Sequence, residues 1–225
     1  LSLRLLSTLA VQGALQEILP AWPHPVQAAF APTKQLQEQI AAGEPGDAAI
    51  LTDAAIDALI ASGIMAAGSR VDLVRSFIGI AVRPGTPHPD IATPAAFTQT
   101  LLDAKSIVFS AAGASGLFFA GLIERLGIAA AVRAKATIIP AGFTGEPVAR
   151  GEADLAVQQI SELMTVPGIE IVGRLPEALH AGAIFSGGVF AGAPPAAADL
   201  LRFLASDASA AVFRRHGVEP IAPAR

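Results

Sequence analysis

Cysteine and tyrosine are absent from the 225 residues, and tryptophan occurs once. Without cysteine the chain has no disulfide, no thiolate metal site and no cysteine nucleophile, which leaves its compartment open. Aromatics make up only 5% and the net charge is -4. Such a surface offers neither the stacking platforms nor the basic patches that nucleic acid requires. Long apolar runs are missing too. The alanine-rich stretches are broken by Gly, Pro or charge before reaching the ~18 apolar residues of a spanning helix, so no transmembrane segment is expected. The chain runs straight into Leu3-Arg4-Leu5-Leu6 without the basic and apolar regions of a secretory signal, so that either a signal was removed or none existed. No Gly-x-Ser-x-Gly elbow occurs. The glycines Gly113 and Gly116 fit neither the dinucleotide GxGxxG nor a P-loop. His24, His88, His180 and His216 are far apart, near prolines or helix ends, and none has a second ligand at metal spacing. All four are expected at the surface, with no metal and no cofactor.

What remains is ample core material, 52% hydrophobic against 15% charged, arranged as one plan used twice. Gly43-Glu44-Pro45-Gly46-Asp47 followed by Ala48 to Thr52 reads as helix stop, acidic turn and apolar strand; Gly151-Glu152-Ala153-Asp154 followed by Leu155 to Gln159 reads the same way. Upstream, a strand from Leu3 to Thr8 with a helix from Gln12 to Leu19 recurs as Ser106 to Ser110 with Leu117 to Leu126. Val26 to Phe30, running through Ala31-Pro32-Thr33-Lys34 into a helix, recurs as Thr137 to Ile139 with Pro140 to Thr144. Three equivalent elements in one order predict two similar α/β lobes. Ligands of open α/β sheets lie at the carboxyl ends of the strands, so a cleft between the lobes is expected.

The segment from Leu73 to Arg83 reads as one long strand, closed by Pro84-Gly85-Thr86-Pro87-His88-Pro89, which cannot continue a helix or central strand. Thr93-Pro94 opens a helix running to about Asp103. Ala183 to Ala191 reads as a returning strand, Pro194-Pro195 introduces a helix through Leu200, Leu201 and Leu204, and Gly217 stops a last helix. These signals divide the chain into lobe 1 (1–82 plus 188–225) and lobe 2 (83–187), with hinges near Arg83 to Gly85 and Ser186 to Phe190.

Ser7, Thr8, Thr33, Ser110, Ser115 and Thr144 all stand where a strand leads into a helix. Unpaired amides and the positive end of the helix dipole favour anions there, hydroxyls donate to oxyanions, and Lys34 adds a full positive charge. Taken singly, each hydroxyl explains itself as a cap of its own helix; only convergence favours a small anionic ligand. Gln158, Gln159, Ser161 and Glu162 form a polar cluster after a buried strand. Glu162 is either a base or an acidic residue in the first turn of a helix.

With Phe30 to Asp53, Ile78 to Gly85, Gly151 to Gln159 and Phe203 to Gly217 in this order, the chain resembles the periplasmic solute-binding proteins of type II topology, in the branch of the molybdate-binding proteins of ABC transporters. The resemblance implies an α/β, two-lobed fold, each lobe a mixed sheet flanked by helices. It also implies an extracytoplasmic monomer that closes around a small anion and serves transporter membrane subunits. By position, Thr33 matches a ligand-contacting serine, Ser110 to Ser115 an amide-donating loop, and Phe143 lies near another amide donor. Ala10 stands where molybdate binders have serine, Gln159 where they have tyrosine, and Lys34 is a further departure. These differences favour an organic acid over molybdate or another bare oxyanion. The run from Val157 to Leu163, with Pro167 to Glu170 and Gly173 to Pro176, is similar to homologues of this fold that isomerise aconitate, for which Lys34 or Glu162 would supply the base. Binding without turnover is the first expectation and isomerisation the alternative.

Overall fold

A computed structural model describes residues 2–221. Its strands are β1 (Leu3–Ser7), β2 (Val26–Phe30), β3 (Ala48–Thr52), β4 (Val71–Ser76), β5 (Ile78–Val82), β6 (Ile107–Ser110), β7 (Ala136–Ile139), β8 (Leu155–Gln159), β9 (Glu170–Arg174), β10 (Ala183–Val189) and β11 (Glu219–Pro220). Its helices are α1 (Gln12–Ile18), α2 (Thr33–Ala41), α3 (Asp53–Ala61), α4 (Pro94–Asp103), α5 (Ala114–Arg125), α6 (Ala129–Arg133), α7 (Gly145–Ala149), α8 (Ile160–Leu163), α9 (Pro195–Leu204) and α10 (Asp207–Arg215). No helix among the described residues is long and apolar enough to cross a membrane.

The chain forms two units, one built from the segments up to Ser76 and from Ala183 onward, the other from Phe77–Gly182. The first holds a sheet of order β11-β4-β10-β3-β1-β2, the second a sheet of order β7-β6-β8-β5-β9. The two orders correspond strand for strand. β1 lies between β2 and β3 with parallel pairing, as β6 lies between β7 and β8, and an antiparallel strand then follows in each, β10 beside β3 and β5 beside β8. The repeat read from the sequence is thus a repeat of topology.

Burial follows position in the sheet. The interior strands β5 and β8 are buried at every residue, whereas edge strand β2 alternates between half-buried and exposed, as expected for strands covered on both faces or on one. In α9, Ala197, Leu200, Leu201 and Leu204 are buried at spacings of three and four, the stripe of a helix with one covered face. The second unit has its main apolar core around Phe97, Phe109, Phe119 and Ile80.

Two expectations are corrected. Residues 73–83 are not one strand, because β4 belongs to the first sheet and β5 to the second, with Phe77 between them. The units therefore meet along the chain at Ser76/Phe77 and Gly182/Ala183, not at 82/83 and 187/188. Arg83 to Gly85 lie inside the second unit, while Ser186 to Phe190 lie in or just after β10 of the first. Continuous apolar residues reveal strands but not a change of sheet partner, which is why the pattern ran through Phe77. The extreme ends of the expected first lobe, Leu1 and 222–225, lie outside the described residues.

The second unit depends on a close approach of helix to strand. A Cβ on Gly116 of α5 would lie 1.7 Å from the Ser110 carbonyl oxygen at the end of β6, whereas one on Gly121 would meet only the flexible end of Arg125 at 3.4 Å. Alanine gains about 1 kcal/mol over glycine within a helix, but backbone overpacking costs about 1–3 kcal/mol or more. Gly116→Ala is therefore expected to lower the thermal midpoint by about 5 °C, and Gly121→Ala to leave it equal or higher, as measured by thermal unfolding followed by circular dichroism.

Candidate functional site

In the first unit, β1 delivers Ser7 and Thr8 to its carboxyl end, and β2 leads through Ala31 and Pro32 into α2. The backbone here is tied to neighbouring strands. Ala31 N–H donates to the Ser7 carbonyl at 3.2 Å, and Thr8 N–H donates to that of Ile50 at 3.0 Å. Ser7, Thr8 and Thr33 are all buried. The hydroxyls of Thr8 and Thr33 share a 3.3 Å hydrogen bond, and Ser7 Oγ donates to the Thr8 carbonyl at 3.1 Å. The N-cap of α2 is Pro32, which makes no side-chain cap, so no N-cap side chain covers the first-turn amides of that helix. Lys34, the second residue of α2, is exposed and 4.0 Å from Glu38.

The second unit repeats the arrangement. β6 ends at the buried Ser110, whose Oγ accepts from Gly113 N–H at 2.8 Å, and Gly113 as N-cap of α5 has no side chain to offer. Ser115 follows at the second position of α5, buried. The hydroxyls of Thr33 and Ser115 are therefore not N-caps of their helices. By contrast α4 is closed conventionally, with Thr93 Oγ1 accepting from Ala96 N–H. Buried hydroxyls beside helix starts with no capping side chain make a local environment suited to oxyanions.

Thr144 and Phe143 stand after β7. Both donors of the buried Thr144 are engaged by Gln158 Oε1, the backbone N–H at 2.7 Å and the hydroxyl at 2.9 Å, while Gln158 Nε2 donates to the Gly142 carbonyl at 3.1 Å. Gln158 thus clamps the 142–144 loop, and Thr144 holds that loop rather than offering its donors outward. Phe143 is half-buried, and Gln159 is buried at the end of β8. The clamp joins residues 14 apart in sequence, a relation without any spacing signal.

Gln159 is the N-cap of the short α8, and Glu162 at its third position takes the Gln159 backbone N–H and a hydrogen bond from the Gln158 side chain. That is the return half of a capping box. Burial outweighs both hydrogen bonds and pushes the Glu162 carboxyl up to about 8, so it holds its proton at neutral pH. The Gln159 N–H on the Glu162 carboxyl is the capping geometry, and burial favours the protonated form of that carboxyl. One histidine is also reassigned. His180 is buried against Phe118, ring centroids 4.6 Å apart, and desolvation holds it below the ordinary histidine value.

A sequence profile of the bacterial extracellular solute-binding proteins matches residues 3–219. Aconitate isomerase of a Pseudomonas species is 38% identical over 232 residues, spanning 98% of this chain and 88% of the relative. Among solved structures, the periplasmic molybdate-binding protein of Azotobacter vinelandii superimposes with a TM-score of 0.78 at 16% identity, over 99% of this chain and 100% of that one. PEB3, a Campylobacter jejuni protein solved with L-phospholactate bound, superimposes with a TM-score of 0.71 at 16% identity, over 96% and 99%.

The buried Glu162 makes stability depend on pH. Folded Glu162 keeps its proton up to about 8, whereas the unfolded chain releases it near 4.5. Between those values the folded state holds the extra proton, so stability falls as pH rises. Glu162→Gln removes this loss. It is expected to raise the thermal midpoint by about 5 °C or more near pH 9, with the difference from the parent shrinking towards pH 4.5, as read from unfolding curves across pH.

Proposed function

The chain belongs to the bacterial extracellular solute-binding protein family, and on that premise we propose that it binds a small organic polycarboxylate outside the cytoplasm, for hand-over to membrane subunits of an ABC-type transporter. Its fold is that of the type II periplasmic binding proteins. The observation that carries the ligand class is the pairing, in each unit, of buried hydroxyls with a helix start that no N-cap side chain covers: Ser7, Thr8 and Thr33 beside α2, Ser110 and Ser115 beside α5. A carboxylate accepts several hydrogen bonds at once and complements such donors, each charge-assisted bond contributing about 1.5–3 kcal/mol. Lys34 at the start of α2 adds a cation on the same side. The similarity to aconitate isomerase supports an unsaturated tricarboxylate as the ligand.

That relative also favours a second reading, in which the bound acid is isomerised. A base would take a proton from the allylic carbon and return it at the other end of the three-carbon system, moving the double bond with no net change in atoms. Of the two candidate bases, Lys34 is exposed, whereas Glu162 is buried and hydrogen-bonded by Gln158 and Gln159.

The test is thermal unfolding of the protein with cis-aconitate, trans-aconitate, citrate or molybdate, with the aconitate samples followed by proton NMR. Aconitate at about 100 times its Kd adds about 2.7 kcal/mol, a rise of about 5–10 °C for a chain of this size. Thr33→Val and Ser110→Ala are each expected to weaken binding about tenfold. Stabilisation by molybdate alone would overturn the polycarboxylate reading. Interconversion of the isomers, lost in Lys34→Met, would establish the second.

A further inference from the structure

We propose that the second unit carries a further binding groove, at the end of its sheet opposite the strand-end hydroxyls, and that this groove takes an aliphatic polyamine, a flexible methylene chain bearing primary ammonium groups. The groove has a volume of about 610 Å³ and lies among the loop after β5, helix α4 and the starts of β6 and β8. Strand direction separates it from the other site. Leu155, which lines it, opens β8 and pairs with Ile107 at the start of β6, whereas Gln159 and Ser110 close those two strands. At about 3.3 Å per residue, β8 holds its two ends about 13 Å apart.

The walls are tied together by the chain's own hydrogen bonds. Thr100 Oγ1 of α4 donates to the Asp90 carbonyl at 2.8 Å, which fastens the loop after β5 to the helix. Asp154 accepts from Lys105 N–H at 3.1 Å and joins the approach to β8 with the approach to β6. His88 of the same loop lies 3.2 Å from Glu170 at the start of β9. A groove formed in advance adds little ordering cost to binding, and its volume falls within the range of about 300–1,000 Å³ usual for small-ligand sites.

The lining selects the chemical class. Val82, Pro87, Pro89, Ala96, Ala104 and Leu155 give an aliphatic surface, and among the described residues no aromatic ring lines it. It therefore offers no cation–π cage to a quaternary ammonium. Asp90, Asp103 and Asp154 stand at the exposed rim against one lining cation, Lys105. Each carboxylate uses one oxygen internally, Asp90 on Ala92 N–H at 2.9 Å, Asp103 on Gln99 Nε2 at 2.8 Å and Asp154 on Lys105 N–H. Among the described residues the other oxygen of each accepts no hydrogen bond, and none of the three is ion-paired. Nor are they gathered into a metal site, since no group of three or more His, Asp or Glu among the described residues could hold an ion. Carboxylates spread around an aliphatic floor complement ammonium groups spread along a methylene chain: the charged ends donate at the rim while the methylenes cover the floor.

The experiment is a heteronuclear NMR titration of the full chain at low salt with spermidine, cadaverine, tetramethylammonium and a short alanine–lysine peptide. Spermidine is expected to shift the amide signals of residues 86–90, 99–105 and 154–155, to bind more tightly than cadaverine, and to bind far more tightly than tetramethylammonium. Asp90→Asn, Asp103→Asn and Asp154→Asn each keep an acceptor oxygen and lose only the charge. Each is expected to weaken spermidine about 2- to 5-fold, and the three together at least about 10-fold. Unfolding curves without ligand confirm that the variants are folded. Binding of trans-aconitate is expected to be the same in these variants as in the parent, so this groove and the strand-end site stand or fail separately. Absence of the shifts at millimolar spermidine, parent-like affinity in the triple variant, or equal binding of tetramethylammonium overturns the proposal. Tighter binding of the peptide than of spermidine also overturns it, and assigns the groove to a protein partner.

Discussion

The pairing of β10 with β3 and β4 is the constraint on which the first unit depends. β10 is antiparallel to both and lies between them, so the middle of that sheet is filled by chain that arrives only after the whole second unit has been traversed. Without it β4 and β11 would be detached from β3. The strand is suited to its crowded place. A Cβ on Gly187 would fall 2.5 Å from Leu201 of α9, and one on Gly188 2.5 Å from the sulfur of Met65, so two adjacent glycines let layers close in on both faces. The second unit uses the same device with an earlier segment, its antiparallel strand β5 preceding the other strands of its sheet.

Each sheet in this arrangement ends three parallel strands on one side, and the loops after them carry the polar residues. What marks these loops is a helix start without a capping side chain, common among the helices described, joined to buried hydroxyls. Pro32 and Gly113 bring no acceptor, while hydroxyls stand buried beside them. Burial there is made possible by close contact, as between Gly116 and the Ser110 carbonyl. A rigid, largely desolvated set of donors needs little reorganisation when an anion arrives, which is the common basis of oxyanion recognition.

The polar cluster at the end of β8 is neutral by its environment. Gln158 holds the 142–144 loop and reaches Glu162, whose carboxyl burial keeps protonated. A charged carboxylate at that position would oppose an anionic ligand; a protonated one is a hydrogen-bonding spacer. Lys34 and Arg174, each in its own unit, carry their charges at exposed positions, where solvent limits the desolvation cost.

Much of this was legible in order and local pattern. The repeated sequence of strand, polar turn and helix located β1, β2 and β3 and their counterparts β6, β7 and β8, because strand ends, glycine stops and acidic turns are short-range signals. The same signals placed Ser7, Thr8, Thr33, Ser110 and Ser115 at those ends. They did not show that Phe77 separates two sheets, since hydrophobicity does not encode a strand's partner. Nor did they show Gln158 on Thr144, Arg174 on Phe77, or His180 buried against Phe118, which are contacts across 14 to 97 residues or products of enclosure. The sequence by itself determined two similar α/β halves with hydroxyls at their strand ends, because those features follow from neighbours along the chain. Only the tertiary structure decided where the chain crosses, which residues clamp the loops and whether Glu162 keeps its proton, because these depend on distance through space and on the loss of water.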